Sequence, residues 1–288
     1  MNKLQQLRRL NFALACKVLF IYLKKAIRLS PGANDKTYLA YLYTLDRCDL
    51  RHIEEEKDTF KVVTRDGIYL YLRKFPSSDA QVLHQIWTEK EYETITEHIK
   101  KNFSGGKLRI IDAGANVGYA SVFMFSRLRD RYDLEFIIIE PSKDNLEVLE
   151  KNFKANNMGN AHIEKAGLYN KTCYLDILSD FRDGKEWSLR VEESAVQTEL
   201  KGVEVLDILG KYSWEQIDFF KIDIEGAEQH LFKDEGYAAS FLSKAKLISI
   251  EVHEEFITVE KIRKSLADNH FDCFSHGEIT IGHNQRLN

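Results

Sequence analysis

The 288 residues are 44% hydrophobic and 30% charged, a balance that excludes a disordered or collagen-like chain and allows one large domain plus an appendage. The formal net charge of −4 supplies no global basic field, so no nucleic-acid partner is expected. Four cysteines (Cys16, Cys48, Cys173 and Cys273) lie far apart without C-x-x-C spacing; they read as packing residues of a reduced, cytoplasmic protein rather than a zinc or redox site.

Residues 1–34 hold seven Lys or Arg and no acid, and Phe12–Leu23 has Lys17 as its only charged side chain. That apolar stretch is shorter than the roughly 20 residues of a membrane span, and no small-residue cleavage site follows it. Two readings of Met1–Leu29 stand side by side: a helix lying peripherally on the inner face of the cytoplasmic membrane, or one packed on its own domain or a second subunit in a homo-oligomer. Pro31-Gly32 ends this helix, and Asp35–Leu50 reads as the next. Phe60–Thr64 and Ile68–Phe75 alternate at the strand period about Asp66-Gly67, predicting a hairpin, and Asp79–Asn102 has the spacing of one helix.

From Lys107 onward, short apolar runs alternate with helix-length segments, the pattern of a parallel sheet covered by helices. The strands expected are Leu108–Asp112, Phe136–Glu140, Ala161–Lys165, Ile217–Asp223 and Leu247–His253, closed by a hairpin of Phe271–Ser275 and Glu278–Ile281.

Four strand ends carry the chemistry. The first runs into Asp112-Ala113-Gly114-Ala115-Asn116-Val117-Gly118 and a helical segment, where glycines admit a close ligand and a helix N-terminus offers amide donors. Its D-x-G-x-x-x-G spacing differs from the G-x-G-x-x-G dinucleotide fingerprint. The second ends in Glu140, placed to accept from a ribose diol, and the third is followed by Ala166 and Gly167, small enough for an adenine to rest on. The fourth gives Lys221-Ile222-Asp223-Ile224-Glu225-Gly226-Ala227-Glu228, an apolar run yielding abruptly to acids, which points to function because the acids repel. The fifth closes with Glu251-Val252-His253, whose first and third side chains share a face and can meet Asp223. Glu254 and Glu255 read as solvated.

In their order, D-A-G-A-N-V-G, I-I-I-E-P-S, K-I-D-I-E-G-A-E and I-S-I-E-V-H resemble the FkbM family of class I methyltransferases over residues 60–288. The resemblance implies an α/β, Rossmann-like fold with a seven-stranded, mostly parallel sheet and helices on both faces. It also implies S-adenosyl-L-methionine as donor and O-methylation of a hydroxyl on a sugar, glycan, glycolipid or related natural product. Carried over by position, Asp112, Gly114, Ala115, Asn116 and Gly118 would line the methionine end of the donor, Glu140 the ribose, and Asp223 and Glu225 the reacting centre. Residues 1–58 then form an N-terminal basic and apolar helical extension, and residues 59–288 the methyltransferase domain.

An alcohol acceptor needs help losing its proton. His253 is the candidate base by intrinsic pKa, acting without a metal, while Asp223, Glu251 and His253 alternatively suit a divalent cation. Two rival classes remain, a catalytically silent Rossmann-like binding protein and a nicotinamide-dependent oxidoreductase; the acid-rich strand ends argue against the first and the glycine spacing against the second.

Overall fold

The computed structural model describes residues 8–26, 32–178 and 190–287. It forms two compact units, one of residues 1–91, 117–123 and 147–158, the other of residues 92–116, 124–146 and 159–288.

In the first unit, helix Phe12–Ala26 starts where Asn11 Oδ1 accepts from the Leu14 amide at 3.0 Å, capping one free donor. Helix Ala33–Arg47 stops at Cys48, whose ψ of 149° is extended, so Leu50 opens a strand instead of ending the helix. That strand, β1 (Leu50–Glu55), has only Leu50 and Ile53 buried and gives too little alternation to be seen in the sequence. It pairs antiparallel with β2 (Thr59–Thr64), which pairs antiparallel with β3 (Tyr69–Arg73) about Gly67 at φ +88°. The expected hairpin is therefore present. Glu55 lies opposite Phe60, so this sheet continues across the boundary expected after residue 58. The end of the first helix at Pro31 falls outside the described residues.

Asp79–Asn102 is not one helix. Helix Asp79–Leu83 passes into a π-helical turn, His84–Thr88, and a further helix covers Glu93–Asn102. The π turn buries the adjacent Ile86 and Trp87 together, and Lys90 at φ +59° ends the run. Trp87 meets Tyr119 and Phe123 edge-on, at ring distances of 6.4 and 5.4 Å.

The outer edge of β3 is closed by side chains rather than by another strand. Asn152 Oδ1 accepts from the Tyr71 amide at 2.7 Å and its Nδ2 donates to the Val117 carbonyl at 2.8 Å. Asn156 repeats the device on the Tyr69 amide and carbonyl at 3.1 and 2.6 Å.

The second unit is built on a seven-stranded sheet in the order β13-β14-β12-β11-β4-β5-β6. Its strands are β4 (Gly106–Ala113), β5 (Tyr132–Ile139), β6 (Ala161–Glu164), β11 (Ile217–Ile222), β12 (Ala245–Glu251), β13 (Phe271–His276) and β14 (Ile279–Asn284). Only β14 runs against its neighbours, and it forms the expected terminal hairpin with β13. Phe136–Ile139 and Phe219–Ile222 are buried at every position, which is why these strands read as continuous apolar runs. The fold is α/β and Rossmann-like, as expected. Because β5 flanks β4 on one side and β11 on the other, connections leave in opposite directions at the carboxyl ends of β4 and β11. Ligands bind at such a switch point.

A second sheet, β7-β10-β8-β9, lies in the chain between β6 and β11 and was not expected. Its strands, β7 (Ala166–Leu168), β8 (Cys173–Leu178), β9 (Arg190–Glu193) and β10 (Lys201–Val203), are three to six residues long and mixed in burial. No period-two pattern survives at that length.

Replacing Asn152 by Ala strips partners from a backbone amide and a backbone carbonyl. It should lower stability by about 2–3 kcal/mol, measured by urea unfolding; a loss indistinguishable from zero would show that the amide does not close the β3 edge.

Candidate active site

The loop after β4 is held from three sides. The Gly114 and Ala115 amides donate to the Ile139 carbonyl at 2.9 and 3.2 Å, and the Asp223 amide donates to the Ala113 carbonyl at 3.1 Å. Gly114 has φ +75°, and a Cβ there would stand 1.6 Å from the Asp223 carbonyl oxygen. Gly114 is thus required by the approach of the two strand ends, a cause different from the clearance for a ligand that its spacing suggests. Gly118, at φ +79°, similarly leaves space taken by Phe153 and Leu149, which a Cβ would approach to 2.8 and 2.9 Å.

Glu140 is buried directly after β5. One carboxylate oxygen accepts from the Asn116 amide at 2.8 Å, and the other from the Ser142 amide at 2.9 Å and Asn145 Nδ2 at 3.0 Å. Burial raises its pKa, opposed by these three donors. It fixes the loop conformation, including Asn116 at φ +52°, and retains about one of its four acceptor positions.

Sequence reasoning missed Lys221. Its ammonium is buried, 3.0 Å from Asp112 Oδ1, 3.3 Å from Asp223 Oδ2 and 3.0 Å from the Gly114 carbonyl. Burial pulls its pKa down, but the two carboxylates outweigh this and hold it above the ordinary lysine value. The available signal was a lone lysine inside the apolar run Phe219–Ile222.

Beyond β11, Glu225 has φ +52° and Gly226 φ +92°; consecutive left-handed residues with a non-glycine first are a strained arrangement. Glu225 Oε2 lies 3.2 Å from His253 Nε2, and Glu228 Oε1 lies 3.2 Å from His253 Nδ1. Glu228, also missed, is fully buried and accepts from the Ile224 amide at 2.9 Å. A carboxylate oxygen stands 3.2 Å from each ring nitrogen of His253, which favours the imidazolium. Burial alone would lower its pKa, but Glu225 and Glu228 push it up to about 11. A pKa raised in this way works against the expectation that His253 is the base, since an imidazolium has no lone pair to accept a proton. Burial raises the Glu225 pKa, His253 opposes the rise and Asp223 adds to it.

Asp223, Glu251 and His253 do converge, each offering an atom within 4.8 Å of the others. Glu225 and Glu228 stand at the two ring nitrogens of His253, so a cation held by this set would have to displace a proton from the ring. Gly167 and Ala166 lie in β7, and a Cβ at Gly167 would come within 2.6 Å of Leu175 and 3.3 Å of Val191. Packing in the small sheet explains this small residue, which removes the reason to read it as a resting place for an adenine. Glu254 and Glu255 are exposed, as expected.

The family description Methyltransferase FkbM domain matches residues 112–273, more than half of the chain and all of the loops just described. The chain belongs to the FkbM methyltransferase family. No curated protein sequence matches it. Among solved structures it is similar to a methyltransferase FkbM from Methylobacillus flagellatus KT, at 14% identity and TM-score 0.44, over 64% of this chain and 45% of that one. It spans less than half the length of that protein. It is also similar to a precorrin-6y C5,15-methyltransferase from Geobacter metallireducens GS-15, at 13% identity and TM-score 0.37, over 67% and 87% of the two chains. An rRNA methylase from Streptococcus thermophilus aligns at 8% identity and TM-score 0.39, over 68% and 97%.

Two expectations for this FkbM methyltransferase follow. Gly114→Ala should abolish folding of the second unit, because the neighbour it meets is backbone; a variant with wild-type melting behaviour would disprove the close approach. The His253 pKa is raised on folding, so its contribution to stability is complete below about 6.5 and is lost as pH climbs through about 11. Nitrogen-15 spectra should accordingly show an imidazolium at neutral pH, and a titration midpoint near the ordinary histidine value would contradict the double clamp.

Proposed function

We propose that this methyltransferase moves the methyl group of S-adenosylmethionine to a hydroxyl oxygen of a sugar, glycan, glycolipid or related natural product. The single observation carrying the donor is Asn116 Oδ1, which is shut away from solvent with no hydrogen-bond partner among the described residues. It lies in a loop already held rigid by Glu140, and a buried acceptor left open fits the ammonium of an amino-acid moiety. The remaining acceptor position of Glu140 is offered to the ribose. Bound there, S-adenosylmethionine would supply an electrophilic methyl group on a positively charged sulfur.

The chain's own task is to align the acceptor oxygen and take its proton. Glu225 is the group proposed for the proton: partly exposed at 20%, buried enough to raise its pKa, and held in place by His253. With the donor bound, the Glu225 carboxylate would take the acceptor's hydroxyl proton as the methyl group is transferred, and the products would be a methyl ether and S-adenosylhomocysteine. Asp223, ion-paired with Lys221, and Glu251 border the same centre and suit hydrogen bonds from further hydroxyls of a polyol acceptor. Hydroxyl donors are what such an acid-rich wall recognises, and this favours a saccharide.

Mass spectrometry of extracts from a deletion strain should reveal a compound lacking one methyl group, and that compound is the acceptor for an in-vitro assay. Glu225→Gln should lower turnover by about 10²–10⁴-fold with S-adenosylhomocysteine affinity unchanged. Asn116→Ala should instead weaken that affinity. No calorimetric binding of S-adenosylhomocysteine by the wild type would overturn the reading.

A further inference from the structure

Helix Phe12–Ala26 is apolar on two opposite faces. Leu14, Val18 and Ile21 are buried in the first unit, and the backbone just before the helix is tied to β1 by the Asn11 amide on the Ile53 carbonyl at 2.9 Å and the Ile53 amide on the Arg9 carbonyl at 2.7 Å. Packing on its own domain, one of the two readings of this segment, therefore accounts for that face. It does not account for Phe12, Leu19 and Leu23, which are 86%, 51% and 57% exposed. At about 100° per residue these three, with exposed Cys16 between them, fall in one stripe opposite Leu14-Val18-Ile21. Phe20 is exposed at the flank of the stripe with the Lys24 ammonium 4.9 Å from its ring.

We infer that this stripe seats the protein on an anionic lipid surface, lying in the headgroup boundary rather than crossing it. No described helix is long and apolar enough to span a membrane. Charge selects the occupant: the 34 residues containing the helix carry seven Lys or Arg and no acid, and although Arg9, Lys17 and Lys24 are paired with Asp46, Glu55 and Asp35, the segment's own excess of basic residues complements an anionic bilayer. A second copy docking through the same stripe would bring two such segments together against their own repulsion. The aromatic and leucine side chains suit insertion at the acyl boundary, and the cations suit the phosphate layer above it. Because the helix is docked on its other face, the stripe is held outward and needs no release from the fold.

The test is sedimentation of the full-length chain with phosphatidylglycerol-containing vesicles and with pure phosphatidylcholine vesicles. The wild type should pellet with the anionic vesicles at low salt, leave them at high salt and ignore the neutral ones. Phe12→Ser/Leu19→Ser/Leu23→Ser, all at solvent-facing positions, should keep the wild-type melting temperature and lose vesicle affinity by about ten-fold or more. A wild type that ignores anionic vesicles, or a triple variant that pellets equally well, overturns the inference. So does light scattering that finds a wild-type dimer, a monomeric triple variant and no lipid binding by either, because the stripe is then a contact between copies. The wild-type salt and lipid dependence decides the matter even where the variant misfolds.

Discussion

One buried ammonium holds the site together. Lys221 sits between the carboxylates that end β4 and follow β11, with the Gly114 carbonyl as its third partner. Two aspartates at adjacent strand ends would repel across a medium that screens them poorly; the lysine turns the repulsion into a bridge. The close passage of Asp223 over Gly114 and the course of the loop from Asp112 to Asn116 follow from that bridge. Glu140 completes the arrangement from the β5 side by accepting the Asn116 amide.

A second buried cation repeats the logic one turn further along. His253 stands between Glu225 and Glu228, and Glu228 in turn accepts the Ile224 amide. The left-handed conformation at Glu225 is held by these contacts, with Gly226 beside it where a Cβ would strike the Phe256 ring at 2.4 Å. Strain of this kind persists where the surroundings over-determine it. His253 lies against Glu225, whose side chain is 20% exposed. The base proposed above is therefore a carboxylate, and not the histidine that intrinsic pKa suggests.

The central strands were legible because burial on both faces leaves continuous apolar runs, and their tips because acids and glycines interrupt those runs abruptly. Asp112, Glu140, Asp223, Glu225, Glu251 and His253 were all identified in this way. Their partners were harder to see. Lys221 looks like an interruption of a strand until its two aspartates are in place, and Glu228 looks like the solvated start of a helix until the Ile224 amide and His253 close on it. The glycines carry a further constraint that spacing does not show, since a Cβ at Gly114 would meet the Asp223 backbone and one at Gly167 the Leu175 and Val191 side chains. The short strands from Ala166 to Val203, and β1 with its two buried residues, carry too few positions for any period to register.

The claim that the buried ammonium organises the donor loop is tested most directly by calorimetry of S-adenosylhomocysteine binding to Lys221→Met, alongside its melting curve. Removing one member of a buried ionic cluster leaves two carboxylates uncompensated, so the variant should lose about 3–5 kcal/mol of stability and bind S-adenosylhomocysteine far more weakly than the wild type. A variant that melts as the wild type does and binds with unchanged affinity would contradict the account.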